Sequence, residues 1–496
     1  MLSAARISVL VLSMLLANAV CSAEAKGTFY VSRDVQIAYD FIFQLRLDEA
    51  AKTIEAFESS NPDNLMKHYV LDFIDFFTVL IDDDLEQYQA IKTARDARLR
   101  MLSLGEVSSP YYLYIPAEIY IHRAILRLKF GENFGAASDL NQAFRLLKRN
   151  ERRFPDFAPN RKSLGMLKAA FGTIPDHYRW AIEMLSSMEG TVSEGMADLR
   201  ASLTDSQQLA LRESQFCYIL ALFYFQNDPD AALDFAIKNG ILATSGLLES
   251  FILGHIALKS GKNDLALKWL AFRPPGSATH SLPHLDLMYG TAKLQRLDED
   301  AYIPLLKFLD AYRGKNYRKE AYQKLAWHDL VHGSPEGYNR YMDLCRHRGC
   351  ELNESDRYAM TEACRVRIPN TELLKARLLF DGGYYLKALE VIEGIRFDAL
   401  TAVGQLEYRY RSGRIYDELG REYDALFAYK MVISSGSNSQ EYFACAAALY
   451  AGMLYERKGE IGNADLYYLI CMNMHPEEYK SGLHQRAKAG LSRIKF

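Results

Sequence analysis

The sequence predicts an all-α protein, a right-handed superhelix (α-solenoid) of about nine to eleven stacked helix pairs. Three observations lead to this prediction. Small residues recur in pairs twelve positions apart, glycine recurs between the two members of a pair, and runs typical of strands are almost absent. A hydrophobic fraction of 49% is that of a globular protein, so the composition excludes bulk disorder.

The later member of each small pair is an alanine, which we call the anchor of the pair. The six anchors are Ala50, Ala136, Ala266, Ala388, Ala425 and Ala464. The earlier members are Ala38, Ala124, Gly254, Ala376, Gly413 and Gly452. Five anchors have a glycine five positions before them, namely Gly131, Gly261, Gly383, Gly420 and Gly459. Two antiparallel helices approach closely only where small residues meet, and a glycine between them can take the positive φ that ends the first helix.

A large residue follows each anchor by four positions, and these are Ile54, Leu140, Leu270, Ile392, Tyr429 and Tyr468. We expect each to fill the groove against the next helix pair. The pattern resembles the tetratricopeptide repeat, a helix pair of about 34 residues, most clearly in 413–429 and 452–468. Longer turns between repeats, such as residues 434–440, account for anchor spacings above that length.

Three segments, residues 172–196, 312–327 and 373–389, are similar to secreted tetratricopeptide proteins of Gram-negative bacterial envelopes. The first of them also resembles, more distantly, the eukaryotic inclusion-body-clearance family of tetratricopeptide proteins. Those eukaryotic proteins are implicated in lipid-droplet and inclusion-body handling. The resemblance implies a fold for nearly all of the chain and carries over no catalytic residue.

Prolines suggest where the array is interrupted. Residues 150–176 contain Pro155, Pro159 and Pro175, so this segment cannot form one continuous helix. The sequence therefore predicts N-terminal helical repeats over residues 26–200, with an irregular Pro-rich segment at 150–176, and a tetratricopeptide repeat array over residues 201–496. We expect the two parts to pack into one superhelix.

The first 25 residues have the pattern of a secretory signal peptide. Arg6 precedes an apolar run over residues 7–20, and Ala23 and Ala25 are small enough for cleavage before Lys26. One alternative is lipidation of Cys21, although the residues before it fit that signal poorly. The other is an uncleaved membrane anchor, although the apolar run is shorter than the roughly 20 residues of a spanning helix. We expect an exported protein, periplasmic or associated with the outer membrane, with peripheral membrane association left open.

Two function classes are unsupported by the sequence. With 59 basic and 62 acidic residues the formal net charge is −3, which lacks the positive footprint of a nucleic-acid-binding protein. The nucleophile-elbow, zinc-helix and dinucleotide-binding glycine motifs are not found. We therefore expect a non-enzymatic protein with no catalytic residue, no cofactor and no nucleic-acid partner.

Four potential soft ligands lie within twenty residues, at Cys345, His347, Cys350 and Cys364. They leave three interpretations open: a zinc site, a disulfide between two of the cysteines, or ordinary buried thiols. We favour the last and predict no metal site. Cys217, Cys445 and Cys471 lie in apolar helical runs and are expected in the core.

The residue after the small first-helix position is expected to face the groove of the superhelix. The candidates for partner binding at this register are His255, Trp327, Arg377 and Arg414, with Met453 at the same position of the last repeat. Arg377 and Arg414 come from neighbouring repeats and would hold a carboxylate by paired hydrogen bonds. The alternative is that Asp381, Asp417 or Glu418 neutralises each arginine locally.

These features predict a protein-interaction scaffold of the cell envelope that binds a protein or peptide segment in a concave helical groove. The alternative is a helical outer-membrane protein that binds a glycan or nutrient, because one such family also contains tetratricopeptide repeats.

Overall fold

The computed structural model describes residues 27–174, 187–204, 209–275, 281–365 and 367–494. The expected signal peptide, residues 1–25, lies outside this part of the chain. Helices contain 74% of the described residues, which include no strand and only two isolated bridges, Gly27 to Gly105 and Thr28 to Asn64. Neighbouring helices pack as pairs, so the prediction of an all-α, solenoid-like protein is confirmed.

The chain divides into two compact units, Met1–Ala236 with Gly276–Ser281, and Ile237–Pro275 with Leu282–Phe496. The boundary expected near residue 200 falls inside a helix, α8. The helices that begin in the first unit are α1 (Arg33–Phe43), α2 (Leu47–Ser60), α3 (Met66–Asp82), α4 (Leu85–Leu102), α5 (Tyr111–Lys129), α6 (Asn133–Arg153), α7 (Ala158–Gly172), α8 (Val192–Ala201), α9 (Leu211–Tyr224) and α10 (Pro229–Lys238).

The helices of the second unit are α11 (Leu247–Lys259), α12 (Asn263–Ala271), α13 (His284–Gln295), α14 (Tyr302–Ala311), α15 (Arg318–Val331), α16 (Pro335–His347), α17 (Glu354–Ala363), α18 (Thr371–Asp381), α19 (Tyr385–Glu393), α20 (Ala402–Glu418), α21 (Glu422–Gly436), α22 (Phe443–Arg457), α23 (Ile461–Asn473) and α24 (Lys480–Ile494). A short 3₁₀ helix, Phe397–Ala399, precedes α20. None of the helices in the described ranges has the length and apolar character needed to cross a membrane.

The turn glycines behave as the sequence predicts. All five have φ between 68° and 81°, a left-handed conformation that glycine adopts without a steric cost. Each follows a first helix of a pair, as Gly420 follows α20 and Gly459 follows α22. The segment rich in proline is also broken as expected, because α6 ends at Arg153 and α7 starts with Pro159 in its first turn.

The small residues lie where paired helices cross. A Cβ atom on Gly413 would be 2.8 Å from the ring of Tyr429, and one on Gly452 would be 2.7 Å from the ring of Tyr468. In these two pairs the large residue after the anchor therefore packs on the small residue of its own pair. Tyr468 in addition lies against Gly490 of the following helix, α24, so it packs on both sides.

The repeat series of the second unit folds back on itself after α17. The first helices α11, α13 and α15 contact one another in order, and α17 then packs on α15 and α16. Helix α18 returns to contact both α13 and α15, and the series continues through α20, α22 and α24. The turns before α12 and α19 consequently meet, so that a side chain on Gly383 would overlap the carbonyl oxygen of Gly261. This return encloses a cavity within the second unit.

Candidate functional site

The cavity has a volume of about 840 Å³. Its walls come from α11, α13, α15, α17, α18 and α20, together with the segments that precede α22 and α24. Seven of the lining side chains are basic: Lys259, Lys324, Arg365, Arg367, Arg377, Arg411 and Arg414. Seven are acidic: Glu320, Glu362, Asp381, Glu407, Glu418, Glu441 and Glu478. The lining is therefore strongly polar with a balanced charge.

Trp327 lies on α15 and contacts three other residues of the cavity lining. Its side chain is only 3% exposed, and its indole Nε1 donates a hydrogen bond to Glu362 Oε1 at 2.8 Å. The Lys324 ammonium lies 4.5 Å and the Arg377 guanidinium 4.7 Å from the centre of the Trp327 ring. Both cations are attracted by the π-electrons of the ring. Trp327 thus gathers two positive charges at the cavity, while the ring itself is covered.

Glu362 is fully engaged by its neighbours. It accepts hydrogen bonds from Gln323 Nε2 at 2.7 Å and from Tyr338 OH at 3.1 Å, in addition to the indole. Glu407 in the same way accepts two hydrogen bonds from Arg411, at 2.8 and 3.0 Å. Both carboxylates hold the walls in place. Glu362 is bonded through both of its oxygens and has few acceptor positions left for a ligand, whereas the two bonds to Glu407 both end on Oε1.

Lys324 and Arg377 are less well satisfied. The nearest carboxylate oxygens are Glu320 Oε1, 3.7 Å from Lys324 Nζ, and Asp381 Oδ2, 3.8 Å from Arg377 Nε, both beyond hydrogen-bond distance. Neither cation donates a hydrogen bond to any residue in the described part of the chain. Burial lowers the pKa of Lys324, and the positive charge of Arg377 lowers it further, against the opposing effect of Glu320.

Arg414 occupies a different part of the wall. Its guanidinium stacks on the ring of Tyr450 at 3.5 Å and lies 5.0 Å from the centre of Phe380. Nη2 is 3.3 Å from Glu418 Oε1, while the buried Nε has no hydrogen-bond partner among the described residues. Asp417 instead pairs with Arg457 and accepts from Tyr429 OH at 3.2 Å.

The structure therefore brings Trp327, Arg377 and Arg414 to one cavity, as the register predicts. It also places Asp381 beside Arg377 and Glu418 beside Arg414, each acid four residues after its arginine. This is the alternative in which an acid of the same helix neutralises each arginine. Repulsion between Arg377 and Arg414 is consequently a weak reason to expect an anion.

His255 does not line the cavity. Its ring stacks on Phe251 with 6.2 Å between the centres, and the residue is half-buried. Burial lowers its pKa to about 4, Lys259 lowers it further, and Glu320 opposes both. His255 is therefore neutral at pH 7 and is not one of the residues that line the cavity.

Sequence reasoning missed the residues that complete the cavity. Lys324 is three residues before Trp327 and so lies on the same face of α15, a signal that helical spacing contained. The contacts that close the cavity had no such signal. Arg365, after α17, is 2.7 Å from Glu478 and 3.5 Å from Glu441, and the rings of Tyr358 and Tyr479 are 4.2 Å apart.

The cluster of potential soft ligands separates in space. Cys345 is buried, and burial raises the pKa of its thiol to about 12. Cys350 is half-buried, whereas Cys364 and His347 are exposed. The described residues contain no group of three or more His, Cys, Asp or Glu side chains placed to hold a metal ion, and none of their cysteines is joined in a disulfide. The buried-thiol interpretation is thus correct for Cys345 only.

Cys445 and Cys471 are both in the core, as predicted, and Cys217 is partly exposed.

No model of a known protein family matches the chain, and no curated protein is significantly similar to it.

Proposed function

We propose that this chain is a non-enzymatic binding protein whose second unit holds a segment of a partner protein in the cavity at Trp327. The observation that carries the proposal is the cavity itself. At about 840 Å³ it falls within the roughly 300–1,000 Å³ of typical ligand sites, and rigid helices supply most of its walls. A peptide can offer both the charges and the apolar groups that such a mixed lining requires.

The hydrogen bonds of the lining favour an anionic group on that segment. Glu362 and Glu407 already accept bonds from the walls, while Lys324 and Arg377 are concentrated at one indole ring with donors to spare. A carboxylate of the partner would give both cations charge-assisted hydrogen bonds in a partly desolvated site. In this proposal Arg377 acts together with Lys324, and Arg414 shapes the neighbouring wall with Tyr450.

A glycan is a less suitable ligand for this cavity. Sugars usually stack on an open aromatic face, and both Lys324 and Arg377 lie over the ring of Trp327. We therefore rank the protein segment above the glycan and make the glycan an outcome of the test.

We further propose that the helix pairs are tetratricopeptide repeats and that the protein is exported to the cell envelope. The repeat assignment is supported by the turn glycines and by the contact of Gly413 with Tyr429. The export proposal rests on residues 1–25 alone. The intact mass of the protein from its native host is expected to correspond to a mature chain that starts at Lys26. A mass that corresponds to a diacylated Cys21 would instead show a membrane-anchored lipoprotein.

The decisive experiment compares pull-downs of envelope proteins by three forms of the chain. Lys324→Gln with Arg377→Gln is expected to lose the partner that the wild type retains, with its melting temperature nearly unchanged. Lys387→Gln with Arg396→Gln is the matched control, because it removes two exposed cations that do not line the cavity.

Peptides tiled across the captured partner then locate the bound segment by direct titration. Equal partner recovery by the cavity variant and the control would refute the proposal. Binding of oligosaccharides on a glycan array, lost in the cavity variant, would replace the protein segment with a glycan.

A further inference from the structure

A pair of thiols lies in the core of the last complete helix pair, α22 and α23. Cys445 of α22 and Cys471 of α23 have side chains that are 1% and 0% exposed, and their Sγ atoms are 3.6 Å apart. This is a sulfur–sulfur contact across a helix interface, well separated from the cluster around Cys350. The sequence signal for it was limited to two cysteines in apolar runs.

The sulfur of Cys445 also reaches the backbone of Cys471. Cys445 Sγ is 3.4 Å from the carbonyl oxygen of Cys471, so each residue lies directly opposite the other. A disulfide joins its sulfur atoms at about 2.05 Å. The two sulfurs must therefore approach by about 1.5 Å for the bond to form.

We propose that Cys445 and Cys471 form an intramolecular disulfide when the chain encounters a disulfide oxidant such as oxidised glutathione or the disulfide of a thiol oxidase. The thiolate of one cysteine attacks one sulfur of the oxidant, which forms a mixed disulfide and releases one oxidant thiolate. The thiolate of the other cysteine then attacks the protein sulfur of that mixed disulfide and releases the second. The two cysteines lose two protons and two electrons, and the oxidant is reduced to two thiols.

The two cysteines are equivalent in this reaction, because either sulfur can be the donor in the hydrogen bond that they share. The thiolate is the attacking form, so the cysteine that is exposed and deprotonated first attacks the oxidant. The other cysteine resolves the mixed disulfide as the two helices pack, because packing brings the two sulfur atoms into contact.

Burial determines when the reaction occurs. Neither sulfur is accessible in the packed pair, so the exchange takes place while α22 and α23 are apart, during folding or a local opening. Once formed, the bond is shielded from reductants by the same packing. A disulfide here would also fix α22, whose Tyr450 supports Arg414 and whose first residue, Phe443, lines the cavity.

The test maps thiols in the purified chain. The protein is refolded with reduced and oxidised glutathione, denatured, alkylated with N-ethylmaleimide and digested without reduction. The expected result is one peptide pair joined through Cys445 and Cys471, a loss of two alkylated cysteines per chain, and a melting temperature higher by roughly 5–10 °C than that of the reduced protein.

Two variants make the assignment specific. Cys350→Ser with Cys364→Ser is expected to retain the linked peptide, because those residues lie elsewhere. Cys445→Ala is expected to lose both the linked peptide and the oxidation-dependent rise in melting temperature. Separate alkylation of Cys445 and Cys471 in the oxidised wild-type protein would overturn the proposal whether or not Cys445→Ala folds, and so would a link from either of them to another cysteine.

Discussion

At the scale of single residues, the first unit depends on a carboxylate buried with its counter-charges. Asp72 is completely inaccessible and accepts hydrogen bonds from Arg95 Nε at 2.9 Å and from His122 Nδ1 at 2.7 Å. Burial alone would raise the pKa of Asp72, but the Arg95 guanidinium and the His122 ring more than offset it and hold the pKa below its ordinary value. Asp72 is therefore an anion that the fold requires.

Removing that charge should be costly. Asp72→Asn leaves Arg95 buried without its counter-charge, and we expect the free energy of unfolding to fall by about 3–5 kcal/mol in urea titrations. Asp75→Asn is the control: Asp75 bonds Arg98 at 2.7 Å but is 26% exposed, so its loss should cost about 1 kcal/mol or less. Similar costs for the two variants would contradict this account.

In the wild type, the contribution of Asp72 to the free energy of unfolding should also be lost in acid. Since the pKa of Asp72 is lower in the folded state, its contribution is present above the unfolded value of about 3.9 and is lost as the pH falls through the folded pKa.

His68 leads to a second prediction, in which the titrating group is a base rather than an acid such as Asp72. Both of its ring nitrogens are buried without a partner among the described residues, and burial lowers its pKa to about 4, with Lys67 adding to the effect. The unfolded chain takes up the proton near pH 6.5, so the stability is complete above that pH and falls as the pH drops towards 4. His68→Leu should abolish about 2 kcal/mol of this pH dependence.

The measurement is the free energy of unfolding at pH 7 and at pH 4.5. Leucine also removes two unsatisfied nitrogens, so His68→Leu should not destabilise the protein at pH 7. If the free energy of unfolding changes with pH in His68→Leu as much as in the wild type, the protonated histidine must find a hydrogen-bond acceptor in the folded protein.

At the scale of helices, the helix pair was predictable because its requirements are local. The turn glycine, the small residue and the large residue after the anchor all lie within one pair, and Gly413, Gly420 and Tyr429 occupy the positions that the spacing assigns. The return of α18 to α13 was not predictable in this way. It depends on contacts between pairs that are not consecutive, and such contacts follow no period in the sequence.

A glycine comparison tests the helix crossing. Gly413→Ala places a Cβ 2.8 Å from the ring of Tyr429, which is completely buried, and should cost roughly 1–3 kcal/mol in the free energy of unfolding. Gly462→Ala is the matched control, since it is also in a helix but its Cβ meets nothing within 4 Å. Because alanine favours helix more than glycine does, Gly462→Ala should be neutral or slightly stabilising. Equal effects at the two positions would place the crossing elsewhere.

At the scale of the whole molecule, the candidate site was only partly predictable. The helical register placed Trp327, Arg377 and Arg414 on one surface, and all three line the cavity. The same register placed His255 there, but that residue does not line the cavity. What turns the surface into a cavity is its closure by Arg365 with Glu478, which are 113 residues apart, and no sequence pattern connects residues at that separation.

The closure should be a local and weak element of the structure. Arg365 is 38% exposed, so its ion pair with Glu478 contributes about 1 kcal/mol or less to global stability. Arg365→Gln should therefore leave the melting temperature nearly unchanged. Its effect should appear in amide hydrogen exchange of residues 474–479 and 437–442, the two segments that Glu478 and Glu441 occupy.

We expect these segments to exchange several-fold faster in Arg365→Gln, while α15 and α18 exchange as in the wild type. Arg421→Gln is the control, because Arg421 also forms an exposed pair, with Asp424 at 2.8 Å, but within one turn of α21 and away from the cavity. Identical exchange in the two variants would mean that packing of Tyr358 on Tyr479, rather than the ion pair, keeps the cavity closed.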